Sequence, residues 1–205
     1  MRSERCRALL ILTAITLLAA CNTVIGERPL LHTGTPAAVV PRPGLWLSGE
    51  PDCTVSIARP ARDWPACAHW LILDQRGTIT LTDKDETDGP AVMTLPIRFG
   101  QRDPSLAELR LNGLKDTSIQ GYAYVAYAAD GAGQGRELTK VRFWWVKCGP
   151  SQNVKYAGID DQCRPASLAA IVNAARKGSD TDVQTMRWVR QPGPGDRPTS
   201  AESRR

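Results

Sequence analysis

The sequence has little of what common enzyme and metal sites require. It contains only two histidines, His32 and His69, and no His-Glu-x-x-His pair, Gly-x-Ser-x-Gly elbow or Cys-x-x-Cys spacing. Hydrolases need a nucleophile beside a base, and zinc sites need clustered histidine and cysteine ligands. The sequence therefore predicts no enzyme, no metal site and no other cofactor.

Concentrated charge is also lacking. The chain has 26 Lys and Arg against 21 Asp and Glu, a net charge of +5, and no block of basic residues. Proteins that bind nucleic acid usually collect their basic residues on one face or in one run. We therefore expect no nucleic-acid partner.

The first 20 residues have the layout of a secretory signal peptide. Arg2, Arg5 and Arg7 precede an apolar stretch over 8–18, and two alanines follow. This stretch is shorter than the about 20 apolar residues that cross a bilayer. We expect residues 1–20 to be removed on export.

The residues at the predicted cleavage point carry a family resemblance. Leu18-Ala19-Ala20-Cys21 resembles the lipobox of bacterial lipoproteins, in which the cysteine thiol receives a diacylglycerol and the chain is cut just before it. The resemblance implies attachment to a membrane by acyl chains on Cys21, because two or three such chains anchor a protein stably. Asn22 follows the cysteine, which favours the outer membrane of the bacterial cell envelope, on the periplasmic side.

Export predicts disulfide bonds among the remaining cysteines, since an even number in an oxidising compartment usually pairs. Four cysteines allow three pairings. We favour the two in which each pair flanks a polar loop that contains proline or glycine, namely Cys53 with Cys67 and Cys148 with Cys163.

Most of the chain after the anchor alternates apolar and polar residues, as half-buried strands do. We predict strands over 45–48, 68–74, 78–82, 93–99, 106–112, 121–129, 138–147 and 184–190. Turn residues at 74–77 and 130–135 predict two hairpins. Pro96 favours an edge strand or a bulge over a central strand position.

One segment has the period of a helix instead. Leu168, Ile171, Val172 and Ala175 recur at helical spacing, and Gly178 follows as a stop. The predicted fold class is mainly β (α+β): a curled antiparallel sheet or small β-barrel of about seven to eight strands, with one C-terminal helix packed on it and two disulfides.

Proline content divides the chain outside the predicted strands. Residues 21–43 contain four prolines and little apolar periodicity, which predicts a flexible tether after the lipidated cysteine. Residues 44–190 are predicted to form a single domain, and the polar, proline-rich residues 191–205 a disordered tail.

Aromatic side chains are the candidate contacts for a ligand or partner. Trp144 and Trp145 are neighbours in a predicted strand, so they face opposite sides. One of them is then available to a pocket, a partner or the helix; the alternative is that the helix covers one and the barrel interior takes the other. The candidate set is Trp46, Trp70, Tyr122, Tyr124, Trp144 and Trp145.

Two further resemblances concern the predicted domain. Gly44-Leu45-Trp46 at the first strand, with a helix and one more strand near the C-terminus, is similar to the lipocalin plan and implies a carrier of a small apolar ligand. The same opening with a nearby disulfide is similar to small periplasmic barrels that inhibit secreted metalloproteases.

A third resemblance covers most of the chain after the anchor. Pro51-Asp52-Cys53, Trp64-Pro65-Ala66-Cys67-Ala68 and Lys147-Cys148-Gly149-Pro150 resemble segments of uncharacterised exported proteins from alphaproteobacteria. This resemblance implies no activity. We expect a membrane-anchored envelope lipoprotein that acts as a non-enzymatic binding or structural module, with an envelope protein as partner; the alternatives are the apolar-ligand carrier and the protease inhibitor.

Overall fold

The computed structural model describes residues 22–31, 39–49, 52–83, 91–100, 103–111, 120–130, 137–151, 153–180 and 182–196. The strands within this part of the chain are β1 (Ile25–Gly26), β2 (Val40–Pro41), β3 (Gly44–Gly49), β4 (Ala68–Leu73), β5 (Thr78–Asp83), β6 (Ala91–Gly100), β7 (Ser105–Arg110), β8 (Tyr122–Ala129), β9 (Glu137–Leu138), β10 (Lys140–Trp145) and β11 (Gln184–Arg190). The helices are α1 (Leu168–Lys177) and the short 3-10 helices η1 (Ala61–Asp63) and η2 (Pro194–Asp196).

Eight of these strands close into an antiparallel barrel. They pair in the order β3-β4-β5-β6-β7-β8-β10-β11, and β11 pairs back onto β3. Closure leaves the barrel wall without an unpaired edge. The predicted fold class is confirmed in its barrel form, and the eight predicted strands agree with the observed ones to within two residues at every end.

Pro96 marks a change of partner within β6 rather than an edge. The first part of β6 pairs with β5 and ends at Pro96 opposite Thr78, whereas the pairing with β7 begins at Ile97. A proline at this point removes no hydrogen bond from the middle of a ladder. The predicted edge position or bulge is therefore not what Pro96 marks; β6 has neighbours on both sides, and the proline lies where one pairing gives way to the other.

The interior of the barrel is filled from alternate positions of the strands. The buried members of this inner cluster are Trp46, Leu73, Ile79, Leu95, Ala107, Leu109, Ala123, Tyr127, Leu138, Val141 and Met186. Residues two apart along a strand face the same side, so this cluster identifies the inward positions of each strand.

One outer face of the barrel is covered by helix α1. The Ser167 hydroxyl caps the helix by accepting a hydrogen bond from the Ala170 amide at 3.3 Å, and the helix buries Ile171 and Ala174. Trp144 lies beneath it, and its Nε1 donates to the Ala175 carbonyl at 2.9 Å. The predicted helix is thus confirmed, and Trp144 is the tryptophan that it covers.

The two disulfides predicted from the loops are present. Cys53 bonds to Cys67 with a Cα–Cα distance of 5.8 Å, and Cys148 bonds to Cys163 with a Cα–Cα distance of 5.2 Å. The first closes the connection between β3 and β4, which packs on the outside of those strands. The second holds the chain that leaves β10 beside α1.

The predicted flexible tether over 21–43 is wrong for the part of it that the structure describes. In residues 22–31, the leading segment, β1 pairs with the start of β8, and both Val24 and Leu31 are buried. The prediction failed because an extended segment tolerates prolines. Its apolar side chains are buried one at a time, so they leave no periodic pattern in the sequence. Cys21 and residues 32–38 lie outside the described residues.

Residues 39–43, the closing segment, cover one end of the barrel. Three inward aromatic side chains donate to its main-chain carbonyls: Tyr127 to Val39 at 2.9 Å, Trp46 to Arg42 at 2.8 Å, and Trp188 to Pro43 at 3.1 Å. The Arg42 guanidinium also lies 4.2 Å from the centre of the Trp188 ring. Burial raises the pKa of Tyr127 well above its usual value, so its hydroxyl remains a donor. We call this the closed end of the barrel.

The predicted disordered tail begins too early. Asp196 is 2% exposed and accepts hydrogen bonds from the Ala61 amide at 2.8 Å, the Gly193 amide at 2.7 Å and the Arg190 guanidinium. Arg190 also donates to the carbonyls of Ile57 and Arg59, both at 3.1 Å. Residues 191–196 therefore fasten the Cys53–Cys67 loop to the end of β11. Of the predicted tail, only residues 197–205 lie outside the described residues.

Asp196→Ala is expected to lower the free energy of unfolding by about 3 kcal/mol, because it leaves Arg190 without its buried partner. Burial alone would raise the pKa of Asp196, but the bonds from Arg190, Ala61 and Gly193 outweigh it and lower the pKa below the usual 3.8. The carboxylate therefore stabilises the fold above that pH and ceases to do so as the pH falls further.

Urea unfolding of the wild type and of Asp196→Ala from pH 7 to pH 3 measures both effects. If the Asp196 carboxylate is responsible for the stabilisation, the difference in the free energy of unfolding between the two proteins narrows below a pH of about 4. The exposed Asp161→Ala serves as the matched control, with little change expected. A difference that stays constant across this range would contradict the assignment.

Glu108→Ala is expected to detach the leading segment from the barrel wall. Glu108 is 2% exposed on the outer face of β7, and its Oε2 accepts the amides of Leu30 at 2.7 Å and Leu31 at 3.0 Å. Losing the acceptor of two buried amides costs about 2 kcal/mol or more. Amide hydrogen exchange at Leu30 and Leu31 should accelerate, whereas Glu137→Ala, which removes only an exposed ion pair, should leave it unchanged. Unchanged exchange in Glu108→Ala would refute this role.

Candidate functional site

The end of the barrel opposite the closing segment is the candidate functional site. Strands β3, β5, β7 and β10 finish there, and β4, β6, β8 and β11 begin there. Inward-facing side chains at this end remain accessible to solvent, although the barrel wall is complete. We call it the open end.

Trp145 is the main feature of the open end. It is the last residue of β10, and it is 41% exposed. It pairs directly with Val125, which packs against the inner cluster. Directly opposed residues of an antiparallel pair face the same side of the sheet. Trp145 therefore faces inward while much of its indole remains in water.

Met93, on β6, is a second inward-facing side chain that is exposed. It is 38% exposed and lies opposite Leu81, which packs against the inner cluster. Between these exposed positions and the buried core, the inner wall continues with apolar residues that are only partly buried, namely Leu71, Leu81, Val125 and Phe143. Among the described residues, the inner wall at the open end is thus apolar, and its outermost side chains are exposed.

Polar side chains stand at the rim of this wall. His69 and Ser48 pair directly across β4 and β3, on the side that faces inward, and His69 is exposed. Gln184 begins β11 opposite Phe143 and is exposed as well. Apolar walls with a few polar groups at the mouth are typical of small-molecule sites.

The six aromatic residues predicted as contacts are divided among three places. Trp46 is buried in the interior, beside the closing segment. Trp70 is 4% exposed on the outer face under the Cys53–Cys67 loop, where its Nε1 is one of the buried atoms without a hydrogen-bond partner among the described residues. Trp144 is covered by α1. These three tryptophans lie within packed layers of the protein.

The two tyrosines of that set lie on the outer face of β8. Tyr124 is fully buried beneath the leading segment, and its hydroxyl contacts the Arg28 carbonyl at 3.4 Å. Tyr122 is half-buried against the same outer cluster. Of the six, only Trp145 lies on the inner wall at the open end.

Sequence reasoning missed the rest of the open end. The sequence places Met93 within an alternating strand and His69 and Gln184 at the start of strands, and it offers Phe143 only as one of many aromatic residues. Their meeting depends on the register between strands that are far apart in sequence. The one available signal was the Trp144-Trp145 pair, which shows that two large rings on one strand cannot share a core.

A second group of buried polar residues lies on the outer wall rather than in a cleft. Glu108 and Tyr124 are direct partners across β7 and β8, and both are covered by the leading segment. Burial first, and the negative charge of Glu108 second, raise the pKa of Tyr124 well above its usual value. Since Glu108 Oε2 binds the Leu30 and Leu31 amides, this group fastens the leading segment to the barrel.

Metal-ligating side chains do not converge in the described ranges, where no three residues of His, Cys, Asp or Glu are grouped to hold an ion. The same ranges contain no helix of the length and apolar character that a bilayer crossing requires. Residues 84–90, and residues 131–135 of the second predicted hairpin tip, fall outside them.

Comparison with known proteins gives the chain no family. No family model, curated protein or solved structure matches it.

Proposed function

We propose that this protein is a lipid-anchored protein of the bacterial cell envelope whose barrel binds a small apolar ligand through its open end. The observation that carries the proposal is an apolar inner wall left accessible at one end, with Trp145 41% and Met93 38% exposed, in a barrel whose other end is covered. Large apolar side chains lose stabilisation when they stay in water, so a ligand that covers them is favoured.

The wall and rim together favour an amphipathic ligand. A chain or ring would lie against Trp145, Phe143 and Val125, and indole rings bind such groups by dispersion and ring stacking. A polar end group would remain at the mouth, beside His69 and Gln184, where water is present.

Other features of the molecule agree with a carrier. The residues Gly44-Leu45-Trp46, which resemble the start of lipocalins, begin the first strand of the barrel. Trp46 lies against the closing segment. A barrel of eight strands is wide enough to hold either side chains or one small ligand. The closing segment covers one end, and the proposed ligand enters at the other.

The anchor is supported by the sequence and by the disulfides. Leu18-Ala19-Ala20-Cys21 carries the lipobox resemblance, and the bonded pairs Cys53–Cys67 and Cys148–Cys163 are typical of proteins in oxidising compartments. The outer membrane, on its periplasmic side, is the proposed location because Asn22 follows the lipidated cysteine.

Trp145→Ala is expected to weaken the binding of an uncharged apolar probe such as N-phenyl-1-naphthylamine by about tenfold, because the largest accessible ring of the inner wall is lost. Ile57→Ala is the matched control, since Ile57 is also exposed but its carbonyl is held by Arg190 on the outside of the barrel. Fluorescence titration measures both. A wild type without saturable binding, or equal affinity of the wild type and Trp145→Ala, would overturn the ligand site.

Cys21→Ser is expected to abolish labelling of the protein by radioactive palmitate and to release it from membranes, because only a thiol forms the thioether to diacylglycerol. The measurement is labelling in a bacterial host, followed by fractionation of the envelope. Wild-type protein that takes up no label, or a variant that remains equally well attached, would refute the anchor.

A further inference from the structure

The residue that follows the proposed anchor is fixed to the barrel. The Asn22 carbonyl accepts a hydrogen bond from the Cys148 amide at 2.8 Å, and its side-chain Nδ2 donates to the Gly149 carbonyl at 3.1 Å. The Val24 amide donates to the Val146 carbonyl at 2.9 Å. These bonds form an antiparallel bridge, with Thr23 opposite Lys147, beside the chain that leaves β10.

This attachment lies close to the open end. Cys148 is three residues beyond Trp145, and the chain spans at most about 3.6 Å per residue. Adding the width of one antiparallel pair puts the Cα atom of Asn22, the residue after the proposed anchor, within about 16 Å of the Trp145 Cα atom. The pairing of Ile25 with Ala123, at the start of β8, places the leading segment at the same end independently.

Other contacts leave the leading segment little freedom to move. The Ile25 amide donates to the Cys163 carbonyl at 3.1 Å, next to the Cys148–Cys163 disulfide. Further along, Glu108 binds the amides of Leu30 and Leu31. An acyl chain on residue 21 would therefore hold the barrel itself, with no flexible spacer between them.

An exposed apolar side chain lies beside the same point. Val154 is 54% exposed and forms a bridge with Ser151 in the turn that follows Gly149, the residue that accepts from Asn22. Of the four large apolar residues that are exposed in the described ranges, Trp145, Met93 and Val154 lie at the open end or in this turn, and Ile57 lies away from them, beside Arg190.

We propose that the open end of the barrel and the Val154 turn rest on the surface of a phospholipid bilayer, held there by the acyl chains on Cys21. The proposal rests on the proposed anchor and adds to it an orientation and a membrane-contacting surface. Val154 and the rim of the barrel meet the headgroup region, where exposed apolar side chains leave water. Ile57, at the opposite end, faces away from the bilayer.

Site-specific photocrosslinking in the full lipidated protein tests this orientation. A benzophenone amino acid replaces Val154 in one variant and Ile57 in the other, and each protein is placed in vesicles of phosphatidylethanolamine and phosphatidylglycerol. Both sites are exposed, so folding should be retained, and thermal unfolding verifies it. Mass spectrometry then measures phospholipid adducts at each site.

The expected result is a strong phospholipid adduct at position 154 and little or none at position 57. Equal adducts at the two sites, or more at 57, would overturn the orientation even if lipidation and ligand binding are intact. Protein that carries no acyl chain and stays free of the vesicles would overturn the anchor and this inference together. Loss of probe binding with a normal crosslinking pattern would refute the ligand site and leave the orientation standing.

Discussion

The attachment of the chain before the first barrel strand is the constraint on which the rest of the structure depends. Residues 39–43 cover one end of the barrel because Trp46, Tyr127 and Trp188 donate to their carbonyls. Residues 22–31 are bound to the barrel at two places, through β1, which pairs with β8 in the same sheet, and through Glu108 on the outer wall. The first attachment covers one end of the barrel, and the second fixes where a lipid on Cys21 would hold it.

Much of the fold could be predicted from the sequence because its determinants are local. The sequence shows the strands by their alternation, the hairpins by their turn residues and the helix by the spacing from Leu168 to Ala175, each within a short segment. The two cysteines of each disulfide are also close in sequence. The tether and the start of the tail could not be predicted, since Val24, Leu31 and Asp196 are single buried residues in proline-rich stretches without a period. Their burial depends on partners 70 or more residues away, such as Glu108 and Ala61.

The candidate site was less predictable than the fold. Composition identified aromatic residues as a class, but Trp46, Trp70 and Trp144 have similar neighbours in sequence and end in three different layers. Only Trp145 lies on the inner wall at the open end, because β10 finishes there and its register with β8 directs the ring inward. Register across a closed barrel is set by all eight strands together, so no single segment contains that information.

The central claim is that the lipid anchor and the open end are joined without a spacer, which places the barrel directly on the bilayer. Neutron reflectometry of the lipidated protein on a supported bilayer measures the distance between the headgroups and the protein layer. The account predicts protein density that begins at the headgroups with no hydrated gap. A hydrated gap of about 25 Å, the span of a flexible chain as long as the tether first predicted over 21–43, would contradict it.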